Sequence, residues 1–541
     1  MFGKEKQKRQ NRIKNWYGKN PLNDVRVERC RERMDKIAIY YDEIKELLEH
    51  ENVDDITWND LEMEEVFLRI NQTKCYIGEQ VLYRRLHELD MGRDWKCYEK
   101  QQSYYKEHES ERLLLEEKLS DIGKEEEAYY LPMFLMHAGN WSVGSSLLYH
   151  FLQLMLLLFF ALSIITKQAI FIMATVAVVI VNLMIYLGVK QKYEAYIYSL
   201  GSVGQLLSFC RFLLGKSEWK ALFGTDKIEE AVESLKKLSG TIKSFQKRKY
   251  ASWAGDISGM LWDYLYGATL FDISMFNHIM KQIEGKQDLL MELYEFAGEI
   301  DMGISVASFR ESMKKNCKPE FWEKHGINGK GIYHPLIENA VCNDFSMDGQ
   351  VLVTGANASG KSTFLKALSI NIILAQTIHT CSAEELYLPK MTVMSSMALR
   401  DDIVSGESYY IREVKYLKRM LDKVEGGMTV FCVIDEILKG TNTRERLAAS
   451  EAILHYFKAK NCFVIVATHD MELVEKLRGE YDCYYFESQI LGDDIFFDYT
   501  IHPGFGGKSN AINLLSAFHF PKNIVTMATE LLKATPRRLD K

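Results

Sequence analysis

Three short stretches in the last 200 residues end apolar runs on residue types that handle phosphate. The first is "GANASGKST", residues 355–363, which follows "QVLVT" and leads into "FLKALSINIILAQ". Its spacing, Gly355-x-x-x-x-Gly360-Lys361-Ser362, is that of a phosphate-binding loop between a strand and a helix. Glycines let successive N–H groups turn inward, and the helix N-terminus adds positive potential. Gly355, Asn357, Ser359, Gly360, Lys361, Ser362 and Thr363 would therefore cradle the phosphates. Lys361 would reach the β- and γ-phosphates, and the Ser362 hydroxyl would ligate Mg²⁺. The second stretch, "FCVIDE", ends on Asp435 and Glu436. Asp435 suits the magnesium shell, and Glu436 can orient or deprotonate an attacking water. The third, "VIVATHD", puts His469 after another apolar run, placed to sense a γ-phosphate. Singly, an acidic pair or a histidine is more often structural. The series of three predicts ATP with Mg²⁺ and hydrolysis of the terminal phosphate.

Such residues need strands that end together. After Pro319, short β-rich runs ("GQVLVTG", "MTVFCVIDE", "NCFVIVATH", "YDCYYFES", "IFFDYTI") alternate with helical stretches, which predicts an α/β nucleotide-binding domain over 331–541. Upstream the texture differs. No proline occurs between Pro132 and Pro319, and apolar residues recur at helical spacing in "KIEEAVESLKKLSGTIKSF" and "SMFNHIMKQIEGKQDLLMELYEFAGEI". Val25–Leu48 and Leu113–Ile122 read as amphipathic helices. The expected organisation is a basic segment over 1–50, a long-helix core or lever over 51–330, and the α/β domain.

Between Glu127 and Lys190 the one formal charge is Lys167. Residues 147–165 and 169–189 are uncharged and strongly apolar, and each roughly matches the ~30 Å hydrocarbon core of a bilayer. Neither has the polar face of a soluble helix. Two membrane spans joined by the turn Thr166–Gln168 are expected, in a cell membrane. Both flanking parts would then lie on one side. Lys190 and Lys192 after the second span favour the cytoplasm, where ATP is.

The formal net charge of -7 over 541 residues gives no general pull toward nucleic acid. The first twenty residues carry seven Lys/Arg against one Glu and read as a solvated basic segment. Ten cysteines are scattered without a C-x-x-C pair, which favours free thiols over disulfides or a zinc site.

The motifs together resemble the MutS family of DNA mismatch-repair ATPases, of the ABC-type ATPase class. "TGANASGKSTFLKAL" resembles that family's phosphate loop, with Asn357 where the family has Asn. "RDDIVSGESYYIREV" looks like its signature segment, which implies that Ser408 contacts the γ-phosphate held by the other subunit of a dimer. "DEILKGTNT" resembles its Walker B segment, and "ATHDMELVEKL" its histidine switch. "GIYHPLIENAVCND" resembles the entry to the ATPase domain, and "DITWNDLEMEEVFLRINQTKCYIGEQVLYRRL" the start of the helical core. The tail from Tyr499 to Ala528 looks like the terminal helical dimer element at Gly504, Ser509, Ala511, Ile512 and Pro521. Lys361 and Asp435 lie closer together in sequence than in transporter ATPases, which insert a helical subdomain there.

Three departures stand out. Leu438 occupies a position where the family has glycine, and Tyr409 replaces a small hydroxyl residue. About 50 residues precede the core-like segment, too few for the family's mismatch-reading domain. The implied protein is a membrane-anchored, MutS-like ATPase working as a homodimer through its ATPase domain. The resemblance implies DNA as its partner. The hairpin suggests instead a membrane-tethered switch acting on a protein of unspecified identity.

Overall fold

The computed structural model describes residues 2–90, 92–137, 144–242, 264–322, 326–356, 358–397, 409–491, 494–506, 515 and 519–534. It is a helix-rich α+β molecule in two compact units. One comprises Met1–Leu48, Ile70–Arg84 and Asp94–Phe309; the other comprises Glu49–Arg69, Arg85–Arg93 and Arg310–Lys541.

The first unit is helical among its described residues. The basic segment is a helix, Phe2–Trp16, rather than a solvated tail. Arg9 reaches Asp121 at 2.9 Å, Gln10 donates to Glu117 at 2.9 Å, and Lys14 meets Glu109 at 3.0 Å. All three acceptors lie on helix Glu109–Ile122. Acidic partners about a hundred residues away take up cations that local sequence leaves facing water. The expected helix over Val25–Leu48 is two helices, Arg26–Arg31 and Met34–Ile44.

The two apolar runs form helices α1 (Ser146–Thr166) and α2 (Ala169–Leu214). Lys167 makes the turn in the left-handed region at φ 54°. Both helices are long and apolar enough to cross a membrane, and only 6% and 11% of their most apolar windows is buried within the protein. The second continues 25 residues beyond Val189 without a break. The chain returns to the hairpin through residues 264–270 and helix α3 (Phe271–Ile283).

In the second unit, strands β1 (Gln350–Thr354), β2 (Thr392–Ser396), β3 (Val430–Asp435), β4 (Cys462–Ala467), β5 (Asp482–Leu491) and β6 (Asp494–Pro503) form one sheet in the order β6-β5-β1-β4-β3-β2. All neighbours are parallel except the β5–β6 pair. Near-continuous apolar runs suit strands covered on both faces, and every residue of β1 and β4 is buried. Helix α4 (Lys361–Ile378) follows β1, α5 (Tyr409–Glu425) precedes β3, and α6 (Thr443–Lys458) connects β3 to β4. A four-stranded sheet of Glu320–Phe321, Glu385–Leu388, Ile327–Ile332 and Asn343–Met347 adjoins in the same unit.

Residues 49–69 and 85–93 belong to this unit rather than to the helical one. The reason lies at the sheet edge. Asp60 accepts hydrogen bonds from Ser395 Oγ at 2.7 Å and from the Met397 amide at 2.9 Å, while Thr57 Oγ1 accepts from the Ser395 amide. Arg419 on α5 holds Asp54 at 2.9 Å. An exposed edge strand needs such cover.

Candidate functional site

Strand register brings three loops to one end of the sheet. Val353 pairs with Ala467, and Ala467 with Asp435, so β1, β4 and β3 end level. Two hydrogen bonds extend the ladder beyond the strands: the Thr468 amide to Val353 O at 3.0 Å, and the Glu436 amide to Ala467 O at 2.9 Å. β4 lies on one side of β1 and β5 on the other, so the β1 loop opens at a topological switch point, where α/β sheets bind ligands.

That loop is built on glycine at two points. Gly355 has φ 148° and Gly360 has φ 105°. A Cβ on Gly355 would lie 2.9 Å from Ser359 Oγ, and one on Gly360 would lie 3.1 Å from the Tyr499 ring. Gly360 caps α4, whose first residue is Lys361. The Lys361 ammonium folds back onto Gly355 O at 2.8 Å and Ala356 O at 2.9 Å. Burial lowers its pKa, and nearby Glu436 and Asp435 oppose that shift. Ser362 and Thr363 are exposed in the first turn. Ser359 Oγ is buried with no hydrogen-bond partner among the described residues. A cation ringed by its own loop's carbonyls and an orphaned hydroxyl fit a cradle that receives phosphate. Asn357 and Ser408 lie outside the described residues.

Asp435 closes β3, and Glu436 follows with φ 63°. His469 Nδ1 lies 2.9 Å from Glu436 Oε2, and Lys439 Nζ lies 3.3 Å from the same oxygen. Asp470 anchors the histidine loop by accepting from the Glu472 amide and pairing with Arg446 at 2.8 Å. Among the described residues, no three His, Cys, Asp or Glu side chains converge as a metal site. Mg²⁺ suits the Ser362 and Asp435 oxygens only with phosphates and waters completing its shell.

Sequence reasoning passed over two groups. Glu413 is buried, and its carboxylate accepts the amides of Lys439 at 3.0 Å and Gly440 at 3.1 Å, fixing the loop after Glu436. Burial raises its pKa, against those two hydrogen bonds. The signal was available: 413 shares the helical stripe of Leu417, Met420 and Val424, all buried. A glutamate on a core stripe needs a partner. The other group lines a cavity of about 250 Å³ beside the loop, among them His334, Ile337, Val341, Gly360, Thr363 and Tyr499. His334 Nδ1 accepts the Leu336 amide at 3.3 Å, and burial, aided by Lys366, pushes its pKa down to about 4. The imidazole is therefore neutral near pH 7.

Residues 351–535 match the family model for MutS domain V. That segment of the second unit is a MutS-family domain. Among curated relatives, the DNA mismatch repair protein MutS of Thermotoga maritima is 27% identical over 270 residues, 48% of this chain and 33% of that protein. Its namesake from Fusobacterium nucleatum is 27% identical over 282 residues, 49% and 31% of the two chains. That of Streptococcus pyogenes is 26% identical over 306 residues, 54% and 35%. The chain thus spans about a third of the length of the MutS proteins it matches. Leu438, where the resemblance expects glycine, is buried with φ 54°, a left-handed conformation that an L side chain adopts at a cost of about 1–2 kcal/mol.

Proposed function

We propose that the MutS-family unit binds ATP with Mg²⁺ and hydrolyses it, and that a membrane hairpin anchors the chain. The observation carrying the first part is the meeting of the Lys361 loop, Asp435, Glu436 and His469 at one sheet end, beside a cavity of suitable size for a base. The base enters between His334 and Tyr499, with its phosphates over the loop. Lys361 leaves the carbonyls of Gly355 and Ala356 for the β- and γ-phosphates, and the loop amides donate to the phosphate oxygens. Ser362 and Asp435 would hold Mg²⁺, which would supply charge neutralisation. Glu436 Oε1 takes or orients the proton of the attacking water while His469 and Lys439 hold Oε2. Ser408 of the partner subunit completes the site in a homodimer.

The anchoring part rests on the exposure of α1 and α2. Uncharged, strongly apolar stretches of 21 residues left so largely uncovered by their own protein suit hydrocarbon, not water. With the turn at Lys167 outside, both units would be cytoplasmic. Coupling to DNA is the reading that the similarity to DNA mismatch repair proteins supports. One observation favours a protein partner instead: the basic N-terminal helix spends Arg9 and Lys14 on its own unit's carboxylates.

The test is equilibrium binding of ATP to the full chain in detergent. Lys361→Ala should abolish it, and unchanged binding would refute the site. A salt-dependent shift of duplex or branched DNA by the same preparation separates the DNA reading from the protein-partner one.

A further inference from the structure

Two amide side chains interrupt the apolar hairpin, Gln153 in α1 and Asn182 in α2. Gln153 lies seven positions after Ser146, and Asn182 seven before Val189. At 1.5 Å per residue, both sit about 10 Å inside the ends of the spans remote from Lys167. Both amides donate to one place. Gln153 Nε2 reaches Thr269 O at 3.1 Å, and Asn182 Nδ2 reaches Ala268 O at 2.7 Å. Those carbonyls end the helical residues 264–269, where intrahelical donors run out.

The chain then reverses. Leu270, fully buried, takes φ 49°, and α3 leads away. Ser274 Oγ lies 3.4 Å from His150 Nδ1, and Asn277 Nδ2 donates to Ser146 Oγ at 3.2 Å. As the chain advances through 269, 274 and 277, its partners on α1 step back through 153, 150 and 146. The start of α3 therefore climbs beside the first two turns of α1. Close approach at the other wall is secured by Gly267, where a Cβ would lie 2.7 Å from the Tyr186 ring. Tyr264 and Leu265 are more than half exposed, and Phe271 more than a third.

We propose that residues 264–271 are a re-entrant tip: a third element that enters the bilayer from the cytoplasmic side and returns, touching lipid through Tyr264, Leu265 and Phe271. This rests on the membrane reading of the hairpin. Reversing backbone is tolerated at membrane depth only where protein satisfies its polar groups, and Gln153 and Asn182 do so here. Polar side chains within spans are costly and generally have a partner. Tyrosine suits the interfacial layer. The hairpin is thereby a docking site for the return of the helical unit as well as an anchor.

The test places a fluorophore on a cysteine introduced at Leu157, Leu265 or Leu47, with the accessible Cys97, Cys317, Cys342 and Cys483 replaced by serine. The full chain is reconstituted in phosphatidylcholine vesicles carrying a nitroxide near either the carbonyl or the methyl end of the acyl chain. Position 157 should be quenched most by the deep nitroxide, position 265 by the shallow one, and position 47 by neither. Quenching at 157 with none at 265 would overturn the tip alone. No quenching at 157 would overturn the membrane reading. Gln153→Leu with Asn182→Leu should leave 157 unchanged and bring 265 down to the level of 47. Unchanged quenching at 265 in that variant would overturn the docking role of the amides.

Discussion

His469 and Glu436 are coupled across two strand ends: Nδ1 of the imidazole lies 2.9 Å from Oε2 of the carboxylate. The contact exists because the Glu436 amide is tied to Ala467 O, two residues before the histidine. The imidazole and the carboxylate therefore stand at ion-pairing distance. Both contacts to Glu436 fall on Oε2, which leaves Oε1 for a water.

Glu436→Gln should keep ATP binding and lose turnover by a factor of about 10²–10⁴, the usual worth of a positioned base. His469→Ala should cost less, because it removes an orienting contact and leaves the base. Single-turnover hydrolysis measured beside nucleotide binding separates the two. Normal turnover by the Glu436→Gln protein would refute its role.

A site completed by Ser408 of the partner subunit should complement between chains. Mixing Lys361→Ala with Ser408→Ala protein should form some dimers with one intact composite site and restore part of the ATPase activity. Activity of the unmodified chain that is insensitive to dilution into monomer would exclude the dimeric site.

Much of the α/β unit was legible because its signals are local. Apolar runs of five or six residues, ended by Gly355, Asp435 and Thr468, define strands buried on both faces, and those strands carry their termini to one edge. What stayed hidden depends on residues far apart in sequence. Glu413 matters through the amides of Lys439 and Gly440, and Arg9 through Asp121. Asp60 covers a sheet edge through Ser395, more than 300 positions away, so a boundary at residue 51 could not reveal which unit this segment joins. The hairpin was legible from composition, but its third element was not: residues 264–271 are too short and mixed to stand out without Gln153 and Asn182 beside them.

His334 gives a pH dependence with a definite sign. Its pKa falls from an ordinary 6.5 to about 4 in the folded protein. Above pH 6.5 neither state is protonated, so no penalty arises. As pH falls from 6.5 toward 4, the unfolded chain takes up a proton that the folded one refuses, and stability drops, by about 3 kcal/mol in all. His334→Asn should flatten that part of the profile by up to about 1.4 kcal/mol per pH unit. Denaturant melts of both proteins between pH 7 and pH 4 measure it, and identical slopes would refute the buried neutral histidine.

The hairpin makes the last prediction. Helix α1 presents Leu147, Phe151, Leu154 and Leu157 outward, and α2 presents Ile170, Met173, Val176 and Met184. Burying each such side chain contributes about 1.5–3 kcal/mol, so the summed transfer from water is at least comparable with the stability of an ordinary domain. Spontaneous release from a bilayer is then negligible, and alkaline carbonate should leave the full chain in the membrane fraction. Deleting residues 147–189 should release it. The turn at Lys167 holds no soluble domain, so in a bilayer both ends would return to one side. A cysteine introduced at Lys167 should react with an impermeant maleimide on intact cells, and one at Asn20 only after lysis. Recovery of the full chain in the soluble fraction would mean that the exposed faces of α1 and α2 are covered by protein instead of lipid.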